Sequence, residues 1–98
     1  MKFQMFSVYD RAVNCYLPPF FCRTQGEAIR SFTEAVNDPN KSFGKYATDY
    51  ALMGFGEFDD NSGSFLTHDP VRIIAANEVI EMEVMKEDPP DNVRRMPM

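Results

Sequence analysis

The residues best suited to chemistry lie in the first half of the chain, where aromatic rings alternate with cations. Arg11, Tyr16, Phe20, Phe21, Arg23 and Arg30 are followed by Lys41, Phe43, Lys45 and Tyr46. Single-stranded nucleic acid calls for this mixture, because unpaired bases stack on rings while cations hold phosphates. Phe20 and Phe32 are expected in the core, and scattered Arg and Lys also make an ordinary surface. The candidate contact set is therefore Tyr16, Phe21 and Tyr46 for stacking, with Arg11, Arg23, Arg30, Lys41 and Lys45 for phosphates.

No other constellation is as good. His68 is the only histidine, and beside Asp69 it could be oriented as a base. The serines near it, Ser62 and Ser64, fall in a turn and its exit, and a lone histidine at a strand end is ordinarily just exposed. One histidine with Cys15 and Cys22 gives no metal-ligand set. The two cysteines could be bridged across a turn, but free thiols are the plainer reading and fit a reducing compartment. Asp59-Asp60-Asn61-Ser62-Gly63 offers oxygen ligands but lacks the length and distal glutamate of a calcium loop, so it reads as a hairpin. Gly54 and Gly56 could leave a shallow groove, although such glycines more commonly let a helix approach a sheet or relieve twist. No catalytic residue, metal or cofactor is expected.

The elements that must carry these residues can be read from periodicity. Lys2 to Tyr9 alternates, with Phe3, Met5 and Tyr9 on one face and Phe6 and Val8 on the other, as for a strand near a sheet centre. After a turn over 10–14, Cys15-Tyr16-Leu17 starts a return strand. Pro18-Pro19 interrupts it and Phe20-Phe21-Cys22 continues extended, which predicts an edge strand or a bent arm. Thr24 and Glu27 have capping-box spacing. Ala28, Ile29, Phe32, Ala35 and Val36 then recur at helical intervals, and Pro39 closes a helix placed at about 25–38. Tyr50 to Phe58 reads as a second strand, with Tyr50, Leu52 and Phe58 sharing a face with the two glycines and Ala51, Met53 and Phe55 opposite. A hairpin at 59–63 leads to Ser64–Thr67. His68-Asp69-Pro70 breaks that strand, and Val71–Ala75 forms another. Ile80, Met82 and Val84 alternate with Glu81 and Glu83, which favours a strand over 77–86, although Ala76, Val79, Ile80 and Glu83 also fit a short helix.

Length and composition bound the rest. A chain of 98 residues makes one domain, and 44% hydrophobic content supplies a core. The domain is placed at 1–85, with 86–98 as a charged, proline-bearing tail. No apolar run approaches the roughly 20 residues that span a bilayer. The N-terminus alternates without a signal region, so a cytoplasmic protein with no membrane partner is expected. The net charge of −5 is uneven. Residues 1–48 hold six Lys/Arg against four Asp/Glu, leaving +2, and residues 49–98 hold four against eleven, leaving −7. That balance argues against wrapping duplex DNA by phosphate contacts alone. The acidic rear, including Glu78, Glu81 and Glu83, could compete with phosphate for the basic front.

Six segments in order are similar to a known family. They are Met1-Lys2-Phe3-Gln4, Tyr16-Leu17-Pro18-Pro19-Phe20-Phe21, Glu27-Ala28-Ile29-Arg30-Ser31-Phe32-Thr33, Val36-Asn37-Asp38-Pro39, Phe43-Gly44-Lys45 with Asp49-Tyr50, and Gly56-Glu57-Phe58-Asp59-Asp60-Asn61. On these residues the chain resembles the small nonstructural protein of gokushovirus-type microviruses, single-stranded DNA phages, from Met1 to about Asp69. The resemblance implies a product made in the infected bacterial cell and absent from the virion. It also implies DNA binding and a part in single-strand genome synthesis. It carries over no catalytic residue.

These readings combine into an α+β expectation: an antiparallel sheet of four or five strands with one helix, about 25–38, packed on one face. Both sheet faces are apolar and one helix covers only one of them. The other must meet a second subunit, a partner protein or nucleobases. A homodimer through that face or an edge strand is expected. The function expected is accessory: binding single-stranded DNA or the phage replication protein in the host cytoplasm. The alternative is a protein-interaction module acting on a host or capsid-assembly factor.

Overall fold

In the computed structural model, which describes residues 1–80, β1 (Lys2–Asp10) lies at the centre of a five-stranded antiparallel sheet. Its two apolar faces are the reason: Phe6 and Val8 point one way, Met5 and Ser7 the other, and all four are buried. On one side β1 pairs with two short strands in succession, β2 (Cys15–Tyr16) and β3 (Phe20–Cys22). Pro18-Pro19 separates them, as expected for residues that cannot donate to a ladder. On its other side β1 pairs along its whole length with β4 (Tyr50–Asp59), which pairs in turn with β5 (Phe65–Ala75) at the far edge.

The helix α1 spans Gln25–Val36. Its start follows the capping signal: Thr24 is extended and its hydroxyl accepts the Glu27 N–H at 3.1 Å. The Glu27 carboxylate reaches back one residue further than a strict capping box and accepts the Arg23 N–H at 2.9 Å. Asn37 ends the helix with its backbone and side-chain N–H groups both on the Thr33 carbonyl, ahead of Pro39. Ala28, Phe32 and Val36 form the buried stripe and pack on Phe6, Val8, Cys22 and Leu52. This side of the sheet is the core.

Three expectations need correcting. The segment placed as a strand over 77–86 is helical over 76–80, the part that is described. Ala76 and Val79, three apart, turn into the core, and the Glu78 carboxylate accepts the Ala75 N–H at 2.8 Å as an N-terminal cap. Burial at helical spacing thus decides the conformation of 76–80. The remainder of that segment, the boundary at 85 and the tail at 86–98 fall outside the described residues. Next, Ser64–Thr67 and Val71–Ala75 are not two strands. β5 runs through Pro70, which an edge strand tolerates, and His68, Asp69 and Pro70 bulge out where the pairing jumps from Gly54–Val71 to Gly56–Thr67. Finally, Phe58 does not share a face with Leu52. β1 pairs Phe6 with Gly54 but Met5 with Gly56, so Phe55 is an extra residue, and from there onward β4 presents the opposite side chains to each face.

Candidate functional site

The register defines the face that α1 leaves open, since residues paired across neighbouring strands point to the same side. One row is Phe3, Phe58 and Phe65; the next is Phe21, Met5, Gly56 and Thr67. Ser7, Met53 and Arg72 follow, and then Tyr16, Tyr9, Ala51 and Ala75. Phe55, on the bulge, joins this face beside Tyr16. Seven aromatic rings and two methionines therefore lie on one side of the sheet, and Arg72 is the charged residue among them.

The rings fall into two groups. At the end where β1 finishes, Tyr16 lies with its ring centroid 4.7 Å from Tyr9 and 5.4 Å from Phe55. The Tyr9 hydroxyl donates to Asn14 Oδ1 at 2.8 Å and steadies the ring. At the hairpin end, Phe58 lies 5.8 Å from Phe21 and 4.8 Å from Phe65. Within each group the planes are tilted or edge-on, as ring quadrupoles prefer. Tyr16, Phe21 and Phe65 remain 44%, 45% and 60% exposed, so their faces stay open to a ligand. On the same face Met5 and Ser7 are buried, and the Ser7 hydroxyl donates to the Leu17 carbonyl.

The residues nominated from sequence divide between locations. Tyr16 and Phe21 are on the open face. Arg11 follows β1 at the Tyr9–Tyr16 end, where its side chain lies 3.6 Å from Asp49, and Arg23 follows β3 two residues beyond Phe21. Arg30 stands on α1, over the other face, beside Glu34. Lys41, Lys45 and Tyr46 occupy the loop between α1 and a 3-10 turn at Ala47–Asp49, with the Lys45 ammonium 5.5 Å from the centre of the Tyr46 ring. The set is thus not one patch. Sequence reasoning did not nominate Tyr9, Phe55, Phe58, Phe65 and Phe3, which the register brings to the same face. The alternation of β1 already put Phe3 and Tyr9 on the helix-free side, whereas Phe58 could be placed there only by knowing the bulge. The exposed cations nearest the open face are Arg11, Arg23 and Arg72, whereas Lys2 alternates with Phe3 and falls on the helix side with Glu57. Lys2 and Arg72 make surface ion pairs with Glu57 and Glu78, at 3.8 and 3.1 Å, of the kind worth little in water.

Elsewhere the chemistry is plain. His68 is exposed, with Nδ1 2.7 Å from the Asp69 carbonyl. Burial, and then the nearby Glu27 carboxylate, push the Cys22 thiol up from its ordinary value. The Asp59 carboxyl is held below the usual range, chiefly by the Asn61 N–H that it accepts at 2.9 Å. Among the described residues no group of three or more His, Cys, Asp or Glu is placed to hold a metal ion, and no helix is long and apolar enough to cross a membrane. An apolar cleft of about 260 Å³ opens between α1 and the β2–β3 link, lined by Leu17, Pro18, Phe20, Phe32, Ala35 and Phe43 among others.

Residues 3–79 match the family model described as Phage ORF5 protein. No curated protein and no solved structure matches the chain.

Proposed function

We propose, on the premise that the chain belongs to the Phage ORF5 protein family, that this phage protein is a non-enzymatic accessory factor that binds single-stranded DNA on the open face of its sheet. The observation that carries the reading is the concentration of seven rings on that one face, in two groups with half-exposed members. A sheet bearing rings is a stacking platform: every base has a π-face, so such a surface accepts a strand whatever its sequence. Duplex DNA keeps its bases stacked inside and offers the rings nothing. Tyr9, Tyr16 and Phe55 at one end, with Phe21, Phe58 and Phe65 at the other, contact bases. Arg11, Arg23 and Arg72 at the rim take phosphates, while Lys2, Arg30, Lys41, Lys45 and Tyr46 contribute at most a distant field. The resemblance to the nonstructural protein of gokushovirus-type microviruses supports a place in viral single-strand synthesis in the cytoplasm of the infected bacterium.

A second reading is favoured by one observation: Arg72 is the lone charge among the side chains that the register assigns to the face. Aromatic residues, methionine and arginine without other charges are also the composition of a protein-interface core. On that reading the face closes a homodimer or docks on the phage replication protein or a host or capsid-assembly factor.

Fluorescence anisotropy of a labelled thymidine dodecamer, titrated with protein across a salt series, separates the two. Three rim cations set the log–log salt slope at about −2 at the steepest. Binding at low salt with a slope in that range, and none to a duplex of equal length, is the expected result. A folded protein that leaves the dodecamer free at low salt and self-associates would sink the DNA reading and leave the protein interface.

A further inference from the structure

Resting on the single-strand reading above, we infer that the open face stacks three bases, one on each exposed ring of its outer strands, and that the rings of its inner strands only brace them. The exposed rings are Tyr16 on β2, Phe21 on β3 and Phe65 on β5. All three stand on strands at a margin of the sheet. Phe3 and Tyr9 on β1, and Phe55 and Phe58 on β4, belong to the two strands between those margins, and each is partly buried. A base stacks where a ring offers a free face, so the outer rings are the stacking positions.

Each outer ring meets an inner ring at an angle. Tyr16 meets Tyr9 at 52° and Phe55 at 74°, Phe21 meets Phe58 at 60°, and Phe65 meets Phe58 at 41°. Tilted and edge-on contacts hold a ring in place without covering it as a parallel stack does. Phe58 braces rings on both margins, Phe21 on one and Phe65 on the other, because the bulge at Phe55 turns it to this face. Each stacking position also has a cation near it in the chain. Arg11 follows β1 at the Tyr16 end, Arg23 follows β3 two residues beyond Phe21, and Arg72 shares β5 with Phe65. Tyr16 and Phe21 pair with Tyr9 and Met5, four residues apart on β1, a distance of about 13 Å. That exceeds the separation of neighbouring bases in a stack, so each ring takes its own base. The ligand is therefore a single strand with its bases spread apart, running along the β2–β3 margin and crossing the sheet past Phe58 to Phe65.

The test is titration of the labelled thymidine dodecamer with the parent protein and with leucine variants, which keep apolar bulk but lose the π-face, circular dichroism confirming the fold of each. Tyr16→Leu, Phe21→Leu and Phe65→Leu are each expected to weaken binding by about fivefold or more. The ring-keeping changes Tyr16→Phe, Phe21→Tyr and Phe65→Tyr stay within about twofold of the parent. The inner-strand variants Phe3→Leu and Phe55→Leu lower the urea midpoint yet also bind within about twofold. The salt slope keeps the parent value throughout, because no phosphate contact is removed. Inner variants that lose as much affinity as the outer ones, or outer leucine variants that bind like the parent, would overturn the three-position proposal and leave single-strand binding standing. Failure of the parent to bind the dodecamer at low salt would overturn both.

Discussion

Gly56 on β4 and Leu66 on β5 approach so closely that a side chain on Gly56 would overlap the Leu66 carbonyl and lie 2.9 Å from the Thr67 Cα. Its φ of +135° is a conformation that L side chains rarely adopt. Both facts belong to the bulge that turns Phe58 to the open face. Gly56→Ala is therefore expected to destabilise by about 3 kcal/mol or more, read as a lower urea midpoint. Gly63, at φ +74° with open space around it, is the control: Gly63→Ala costs about 1 kcal/mol. Equal small effects at both sites would mean that the bulge can be rebuilt without glycine.

The same glycine shows where the sequence stops being legible. The pattern Thr24–Glu27, the stripe Ala28–Phe32–Val36 and the alternation of β1 are local, and each led to the right element. The fold class followed from them. The bulge is not local: it exists because β4 must register with β1 and β5 at once, and period-two alternation read along β4 alone assigns Phe58 to the wrong side. Of the rings on the open face, Tyr16 and Phe21 were nominated from sequence and the other five were not. The cations were grouped by nearness in sequence, and folding separates Arg30 on α1 from Arg23 on the β3 side.

Cys15 is exposed on β2 and Cys22 is buried, with its thiol pushed up by that burial. Thiolate is the reactive form. Alkylation of the folded protein with iodoacetamide should therefore mark Cys15 at least about tenfold faster than Cys22. Denaturation should abolish the difference. Equal rates in the folded protein would contradict the burial of β3 under α1.

Because the folded Asp59 carboxyl titrates below its ordinary range, its contact with the Asn61 N–H adds stability that is present at neutral pH, above the unfolded value of about 4. That contribution is lost as pH falls through the lower folded value. In an acid titration followed by NMR, the Asn61 amide should shift with a midpoint below that of a free aspartate, and Asp59→Asn should remove the transition. A midpoint above the ordinary value would contradict the turn geometry.

Glu78 holds Arg72, the open-face cation, at 3.1 Å and caps the 76–80 helical segment through the Ala75 N–H. Glu78→Gln keeps an acceptor for the cap and removes the charge. It should tighten dodecamer binding by about two- to fivefold at low salt, the worth of a surface pair, and the gain should vanish as salt screens it. No change at low salt would mean that Arg72 does not contact phosphate.

The measurement that tests the central claim most directly is an NMR chemical-shift map of the folded protein on addition of the thymidine dodecamer. The account predicts the largest shifts at Tyr9, Tyr16, Phe21, Phe55, Phe58 and Phe65, with Arg72 and Arg23 at their edge and the exposed side of α1 unmoved. Shifts confined to Arg30, Lys41, Lys45 and Tyr46, or no shifts at all at low salt, would contradict it.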